Sequence, residues 1–258
     1  MIILLTGCIE PNGMVQTTLN DKEVRKEQYI NALNFYLQKT GYSVVFVDNS
    51  NSDISYHFKT YIQSGRLEYL SFCGNQRKDR GKGYGECEII QYALDHSKII
   101  KTSKDKRIAK ITGRLIVKNI NIIISLHTTF SNHETVFFTI NSDLSFPDSR
   151  LIIAPNNFYS LLLNSKEDID DSKGYYFEHA LIDIFKKHPN ISYSPFYVMP
   201  RIEGMSGSTG EIYRNEPNTL SFCIRYAKYS IRQKRLFNQI IKKHGNTSLL
   251  AATNDDCL

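Results

Sequence analysis

Ser43-Val44-Val45-Phe46-Val47, closed by Asp48-Asn49-Ser50, is the stretch that decides the fold. Its apolar residues run without alternation, the mark of a strand buried on both faces. A similar run, Met1 to Thr6, precedes it. Between the two, Asp21 is placed to cap a helix from Lys22 to Thr40 that carries Tyr29, Leu33, Phe35, Tyr36 and Leu37, with Gly41 as its C′ residue. Strand, helix, strand in this order predicts a parallel β-α-β unit and a sheet covered on both sides.

Working outward, a third strand is expected over Leu67–Phe72 and a glycine-rich loop, Gly81-Lys82-Gly83-Tyr84-Gly85-Glu86, leads into a helix over Cys87–His96. Arg107 to Val117 reads as a strand cut by the polar break Thr112-Gly113-Arg114. Strands are expected over Asn121–Leu126 and Val136–Ile140, then a polar loop, Asp143 to Arg150, and the apolar run Leu151 to Ala154. Helices are expected over Asn157–Leu163 and Tyr175–Lys187, then a Gly/Ser loop, Gly204 to Gly210, and a basic helix over about Ile224–Lys243 ending in a polar tail. With no internal repeat or linker, residues 1–258 read as one α/β domain: about 1–120 binding a ligand, about 121–220 completing the site, and about 221–250 forming the basic helix.

The bulk numbers bound the function. Hydrophobic content of 41% and charged content of 22% over 258 residues are globular values, which exclude wholesale disorder. A net charge of +6 suits phosphate-bearing ligands, nucleic acid or an anionic membrane equally. The five cysteines form no Cys-x-x-Cys pair, so zinc and redox motifs are absent and reduced thiols are expected. Leu5-Thr6-Gly7-Cys8 superficially matches a lipoprotein box but lacks a basic n-region and an apolar run of sufficient length. No apolar run approaches the roughly 20 residues of a membrane span.

Several constellations can carry chemistry. The glycine-rich loop offers backbone amides and a helix N-terminus to a phosphate, although a plain turn uses the same glycines. It matches neither a P-loop nor a dinucleotide fingerprint. Asp48 stands at the carboxyl end of a parallel strand, where α/β folds place ligands, or else caps its own turn. Lys110 and Arg114, four residues apart on one strand face, need an anion between them. A diphosphate meets that need, and so does an internal carboxylate such as Glu86. Glu178, early in an apolar helix, is a candidate general base with His179 beside it, or a solvent-facing Glu next to a core His. Asp143, Asp148 and Arg150 share a loop suited to sugar hydroxyls or, more weakly, to a divalent metal. The hydroxyl-rich loop containing Ser206 and Ser208 can close over a polar substrate. Arg225, Lys228, Arg232, Lys234, Arg235, Lys242 and Lys243 decorate a helix whose apolar side includes Ile224, Ala227, Ile231, Phe237 and Ile241, a pattern for an anionic membrane surface or a solvated face.

The order Gly81-Lys82-Gly83-Tyr84-Gly85-Glu86, Lys110-Ile111-Thr112-Gly113-Arg114, Asp148-Ser149-Arg150, Glu178-His179 resembles bacterial glycosyltransferases that build capsule, O-antigen and other surface polysaccharides, over most of the first 215 residues. The resemblance implies a GT-A-like fold: a Rossmann-like mixed sheet flanked by helices, here with a C-terminal basic helix. It implies that Thr6, Gly7 and Asp48 hold the nucleoside, and that Lys82, Gly83, Tyr84, Lys110, Thr112, Gly113 and Arg114 hold the donor sugar and diphosphate. Asp148, Arg150, Ser206 and Ser208 would meet the acceptor, and Glu178 and His179 would be catalytic, with Glu178 as base. Where the family pattern ends a strand in Asp-x-Asp, this chain has Thr112-Gly113-Arg114. That substitution implies transfer without a metal or other cofactor, Mg and Mn remaining open. The expected partners are a nucleotide-sugar and a lipid-linked or oligosaccharide acceptor, and no nucleic acid. The expected place is the cytoplasmic face of the bacterial inner membrane, reached through the basic helix. Two other readings remain: a nucleotidyltransferase or other nucleotide-sugar enzyme, and a non-catalytic nucleic-acid-binding domain, for which no recognition motif is present.

Overall fold

The computed structural model describes residues 1–14, 17–207, 209–213 and 219–254, with side chains as far as residue 241. β1 (Ile2–Gly7), α1 (Lys22–Lys39) and β2 (Ser43–Asp48) form the expected β-α-β unit, β1 and β2 pairing in parallel with Leu4 opposite Val45. A short α2 (Lys59–Gln63) leads to β3 (Leu67–Ser71), and α3 (Lys82–His96) and α4 (Lys98–Thr102) to β4 (Arg107–Thr112). β5 (Ile116–Val117), α5 (Ile120–Phe130), β6 (Val136–Ile140) and β7 (Pro147–Pro155) follow. After them come α6 (Asn156–Leu163), α7 (Phe177–Lys187), β8 (Tyr193–Ser194), β9 (Ile202–Glu203) and α8 (Leu220–Asn254).

Seven strands make one mixed sheet in the order β3-β2-β1-β4-β7-β6-β8. β3, β2, β1 and β4 are parallel, β7 is antiparallel to both of its neighbours, and β8 pairs with β6 in parallel. Alternation along the strands fills both faces. Ile2 and Leu4 of β1 with Val45 and Val47 of β2 pack under α3, α6 and α7. Ile3, Leu5, Val44 and Phe46 pack under α1 and α5. Each such side chain taken from water contributes about 1.5–3 kcal/mol before entropy is subtracted. The α/β class and the mixed, helix-flanked sheet read from the sequence are therefore the ones that form.

Local departures have local causes. Asn121–Leu126 is not a strand but the heart of α5, because Ile120, Ile123, Ile124 and His127 bury at helical spacing while Ile122 stays 56% exposed. α1 ends on Thr40, whose Oγ1 donates to Tyr36 O at 2.6 Å, and Gly41 has no left-handed role. The glycine-rich stretch is not a loop. Gly81, at φ +91°, leads into α3, and Lys82 to Glu86 already form its first turns. The strand expected over 107–117 is two strands: β4 stays in the main sheet while β5 pairs with β9 in a separate two-stranded sheet. Gly113 makes the break. Its N–H donates to Thr6 O at 2.8 Å, and a Cβ there would stand 2.6 Å from that oxygen. Asp148 and Arg150 lie on β7, not in a loop.

Candidate active site

The carboxyl ends of β1, β2 and β4, the N-terminus of α3, the start of β7, the N-terminus of α7 and the 204–213 segment converge on one cleft. This is where ligands bind in open parallel sheets. The cleft has two joined chambers. The smaller, about 100 Å³, is lined by Thr6, Gly7, Arg25, Tyr29 and Asn49 among others. The larger, about 370 Å³, is lined by Lys110, Ser149, Asp171, Glu178 and Ser206 among others. Lys82, Glu86, Thr112, Arg114 and Gly207 line both.

The smaller chamber has a built wall. Arg25 is buried and donates from Nε to Cys8 O at 2.9 Å and from NH1 to Leu19 O at 3.1 Å, tying the β1 loop to α1. Burial pushes the Cys8 thiol up to about 12, so it stays protonated. Asn49 is 1% exposed, and its Oδ1 has no hydrogen-bond partner among the described residues. A buried acceptor without a partner beside a cavity carries a cost that a ligand N–H or O–H reaching it would relieve. Asp48, expected to face the ligand, does not line the cleft. Its carboxylate is fully buried and accepts from Ile9 N at 2.8 Å, Ser52 N at 3.0 Å and Ser50 N at 2.9 Å. It holds the loops; its neighbour Asn49 meets the cavity.

The cationic pair at the break also resolves. Lys110 is 1% exposed, and its Nζ is paired with the Glu86 carboxylate and donates to Ser149 O at 2.8 Å. Glu86 accepts in addition from Thr6 Oγ1 at 2.9 Å. The anion beside Lys110 is thus internal, which corrects its assignment to a bound diphosphate. Arg114 differs. It is buried, bonded to Gln28 Oε1 at 3.3 Å and to Met205 O, and forms no ion pair among the described residues. Burial lowers its pKa, a standing cost that a bound anion would relieve. Lys82, at the first turn of α3, lines the cleft with its pKa likewise lowered by burial.

The glycines of α3 serve packing. Asp171 sits over the helix N-terminus, where Gly83 N donates to its Oδ2 at 3.2 Å. A Cβ on Gly83 would lie 2.8 Å from Asp171 Oδ1 and 3.0 Å from Phe177 N. The favourable N-terminal position is occupied by the protein's own carboxylate. Tyr84 points away from the cleft: its hydroxyl donates to Glu167 Oε1 at 3.1 Å under the guanidinium of Arg80, 4.8 Å from the ring centroid. Gly113 lies against Thr6 and lines neither chamber, while Thr112 lines both.

Glu178 lines the larger chamber. Burial raises its pKa, opposed by the hydrogen bond it accepts from Ser149 Oγ at 2.5 Å and by the charge of Lys110. His179 does not face the cleft. Its Nδ1 accepts from Tyr176 N at 3.1 Å, capping α7, and its ring packs with Phe146 and Tyr175. It is a positioning residue for the helix start, so its assignment as catalytic is corrected. Arg150 pairs with Asp148 (Nε to Oδ1, 2.8 Å) and lies over the Tyr213 ring at 4.4 Å, at the edge of the cleft. Ser206 lines the cleft and accepts from Thr209 N at 3.1 Å; Ser208 lies outside the described residues. Asp143 is spent on Ser145, and among the described residues no three His, Cys, Asp or Glu side chains are placed to hold a metal. Arg25, Tyr29 and Asp171 carry no site signal in the sequence, whereas Asn49 adjoins a strand-end acid and Ser149 lies between Asp148 and Arg150.

No family model matches the sequence, and no curated protein matches it. Solved structures do. One described as a nucleotide-diphospho-sugar transferase, from Desulfovibrio desulfuricans G20, is 12% identical over 75% of this chain and 79% of its own, with a TM-score of 0.42. A cytidylyltransferase from Leptospira borgpetersenii is 15% identical over 95% of each chain, with a TM-score of 0.42. Residues 1–349 of TarS from S. aureus, in complex with UDP, are 12% identical over 94% of this chain and 70% of that one, with a TM-score of 0.39. These likenesses are distant in both sequence and overlay; the chemistry of this chain rests on its own site.

Proposed function

We propose that this chain is a glycosyltransferase of GT-A type that moves a sugar, with inversion, from a nucleotide-sugar to a hydroxyl acceptor in bacterial surface-polysaccharide assembly. One observation carries the reading. A half-buried carboxylate of raised pKa, Glu178, shares a chamber with Arg114, a buried cation without an ion-pair partner among the described residues, and that chamber opens into a smaller one with an unmatched acceptor in its wall.

In this reading the nucleoside occupies the smaller chamber beside Asn49, and the diphosphate lies at the junction against Arg114 and Lys82. The acceptor oxygen attacks the anomeric carbon from the opposite side. As that bond forms, the carbon–phosphate-oxygen bond breaks and its electron pair leaves with the nucleoside diphosphate. The acceptor's proton passes to Glu178. Arg114 stabilises the charge that develops on the leaving group, the task a metal performs elsewhere. We also propose a lipid-linked acceptor and contact of α8 with the inner face of the bacterial inner membrane. No helix among the described residues is long and apolar enough to cross a membrane.

Assaying products from a panel of nucleotide-sugars in EDTA tests the proposal. Release of nucleoside diphosphate that persists in EDTA is expected. Glu178→Gln should lower turnover by about 10²–10⁴-fold while donor binding by calorimetry stays unchanged. Pyrophosphate release from nucleoside triphosphates would mark nucleotidyl transfer instead. Manganese-dependent turnover, or an active Glu178→Gln enzyme, would refute the roles given to Arg114 and Glu178.

A further inference from the structure

Beside the cleft lies a second cavity of about 300 Å³, which shares Arg150 and Tyr213 with the larger chamber. Its walls differ from those of the cleft. Val198, Met199, Ile202, Phe222 and Ile122 supply apolar surface, and Asp148 and Arg150 neutralise each other at the boundary. Beside the exposed Arg201, apolar side chains stand at the mouth as well: Ile122 is 56%, Tyr197 40% and Met199 39% exposed. Phe130, 67% exposed, extends this rim, its ring 6.2 Å from that of Tyr197. Exposed apolar surface clustered at one opening marks a binding site.

One wall is the start of α8, through Phe222, Cys223 and Tyr226. Away from the cavity the same helix exposes Leu220 (78%), Ile224 (47%) and Ile231 (72%), flanked by the exposed Arg225, Lys228, Arg232 and Arg235. Its sequence contains no Asp or Glu. Cations around an aliphatic stripe complement an anionic lipid surface.

We propose that this second cavity receives the hydrocarbon portion of the acceptor, an alkyl or isoprenyl chain of a membrane amphiphile, and so delivers its polar head past Arg150 to Glu178. The assignment rests on the transferase reading for its purpose but not for its chemistry. Asn119, Arg201 and the hydroxyls of Thr139 and Tyr226 also line this cavity, but aliphatic carbon and aromatic rings make up the larger part of its walls, whereas a cavity built for sugar alone would be lined mainly by hydroxyl and amide partners. A chain lying in it gains with each methylene that leaves water.

Calorimetric titration of the full chain with butyl, hexyl and octyl glucoside, each below its micelle concentration, tests this. Affinity should rise by about fourfold per buried methylene until the cavity is full. Met199→Asp, at the exposed rim, should keep the wild-type thermal midpoint and flatten the series. Equal affinity for all three glucosides, or a rise that Met199→Asp leaves intact, overturns the proposal. Failure of the transferase reading would show separately: no nucleotide-sugar would yield nucleoside diphosphate with any acceptor, whatever the binding series gave.

Discussion

Glu178 and Ser149 act as one unit. Burial makes the carboxylate costly, and the Ser149 hydroxyl offsets part of that cost through the 2.5 Å hydrogen bond to Oε1. A base works only when deprotonated, so turnover should rise with pH along an acidic limb displaced above the ordinary Glu range. Ser149→Ala removes the one side-chain bond that favours the charged form. Its limb should move to higher pH, by roughly one unit for each 1.4 kcal/mol lost, while turnover on the alkaline plateau falls little. A pH profile of kcat for both proteins decides it: an unmoved limb would mean that Glu178 is not the titrating base. Lys110 and Arg114 teach a complementary lesson. Their spacing announces two cations on one face, but only packing shows that one is neutralised by Glu86 and the other has no carboxylate partner among the described residues.

At the scale of elements, α3 and α8 are the instructive cases. Two glycines in the first turns of α3, Gly83 and Gly85, reduce helix propensity by about 1 kcal/mol each relative to Ala. Gly83 persists because Asp171 and Phe177 come too close for a side chain, and a Cβ on Gly85 would lie 3.2 Å from Asn49 Nδ2. Gly83→Ala should therefore destabilise by about 1–3 kcal/mol despite its better propensity, because the Phe177 backbone cannot rotate aside. A lowered thermal midpoint is expected, and a raised one would show that the α3–α7 contact yields freely. Only part of the apolar side that the sequence pattern proposes for α8 turns inward. Phe237 and Ile241 pack into the core with Phe185 and Tyr193, while Ile224 and Ile231 stay outside; Lys242 and Lys243 lie beyond the described side chains. The triple change Lys228→Glu, Arg232→Glu, Arg235→Glu should cut co-sedimentation with phosphatidylglycerol vesicles by at least about hundredfold, at roughly 1 kcal/mol per cation removed. Unchanged sedimentation would remove the proposed membrane contact.

At the scale of the whole molecule, stability is tied to pH through His127. This residue of α5 is 1% exposed, its ring 4.4 Å from that of Phe137, and burial, with the Arg107 guanidinium nearby, lowers its pKa from 6.5 to about 4. The unfolded chain therefore takes up this proton first. Stability should fall as pH drops from about 6.5 towards 4, by up to about 3 kcal/mol, and be recovered above that window. His127→Leu should flatten the dependence in chemical denaturation at several pH values; a curve of unchanged slope would assign the loss to other groups. Both faces of the sheet are packed, so a local charge buried against β6 is felt as global stability rather than as local fraying.

The sequence by itself determined the α/β class, the β-α-β opening, the position of the strand break at Gly113 and the candidacy of Arg114 and Glu178. Those depend on periodicity, on apolar runs and on the rarity of polar residues within them, all of them local properties. Only the tertiary structure decided which polar residue meets which. Asp48 and His179 look like ligand-facing groups in one dimension but are spent on backbone N–H groups, and Asn49, Ser149 and Asp171 enter the cleft from segments far apart in sequence. Residues 121–126 and 82–86 form helix where their sequence suggests strand and loop, for the same physical reason. A run of isoleucines buries equally well in a strand or a helix, and a row of glycines suits a loop or a crowded helix start, until the neighbours that choose between them are in place.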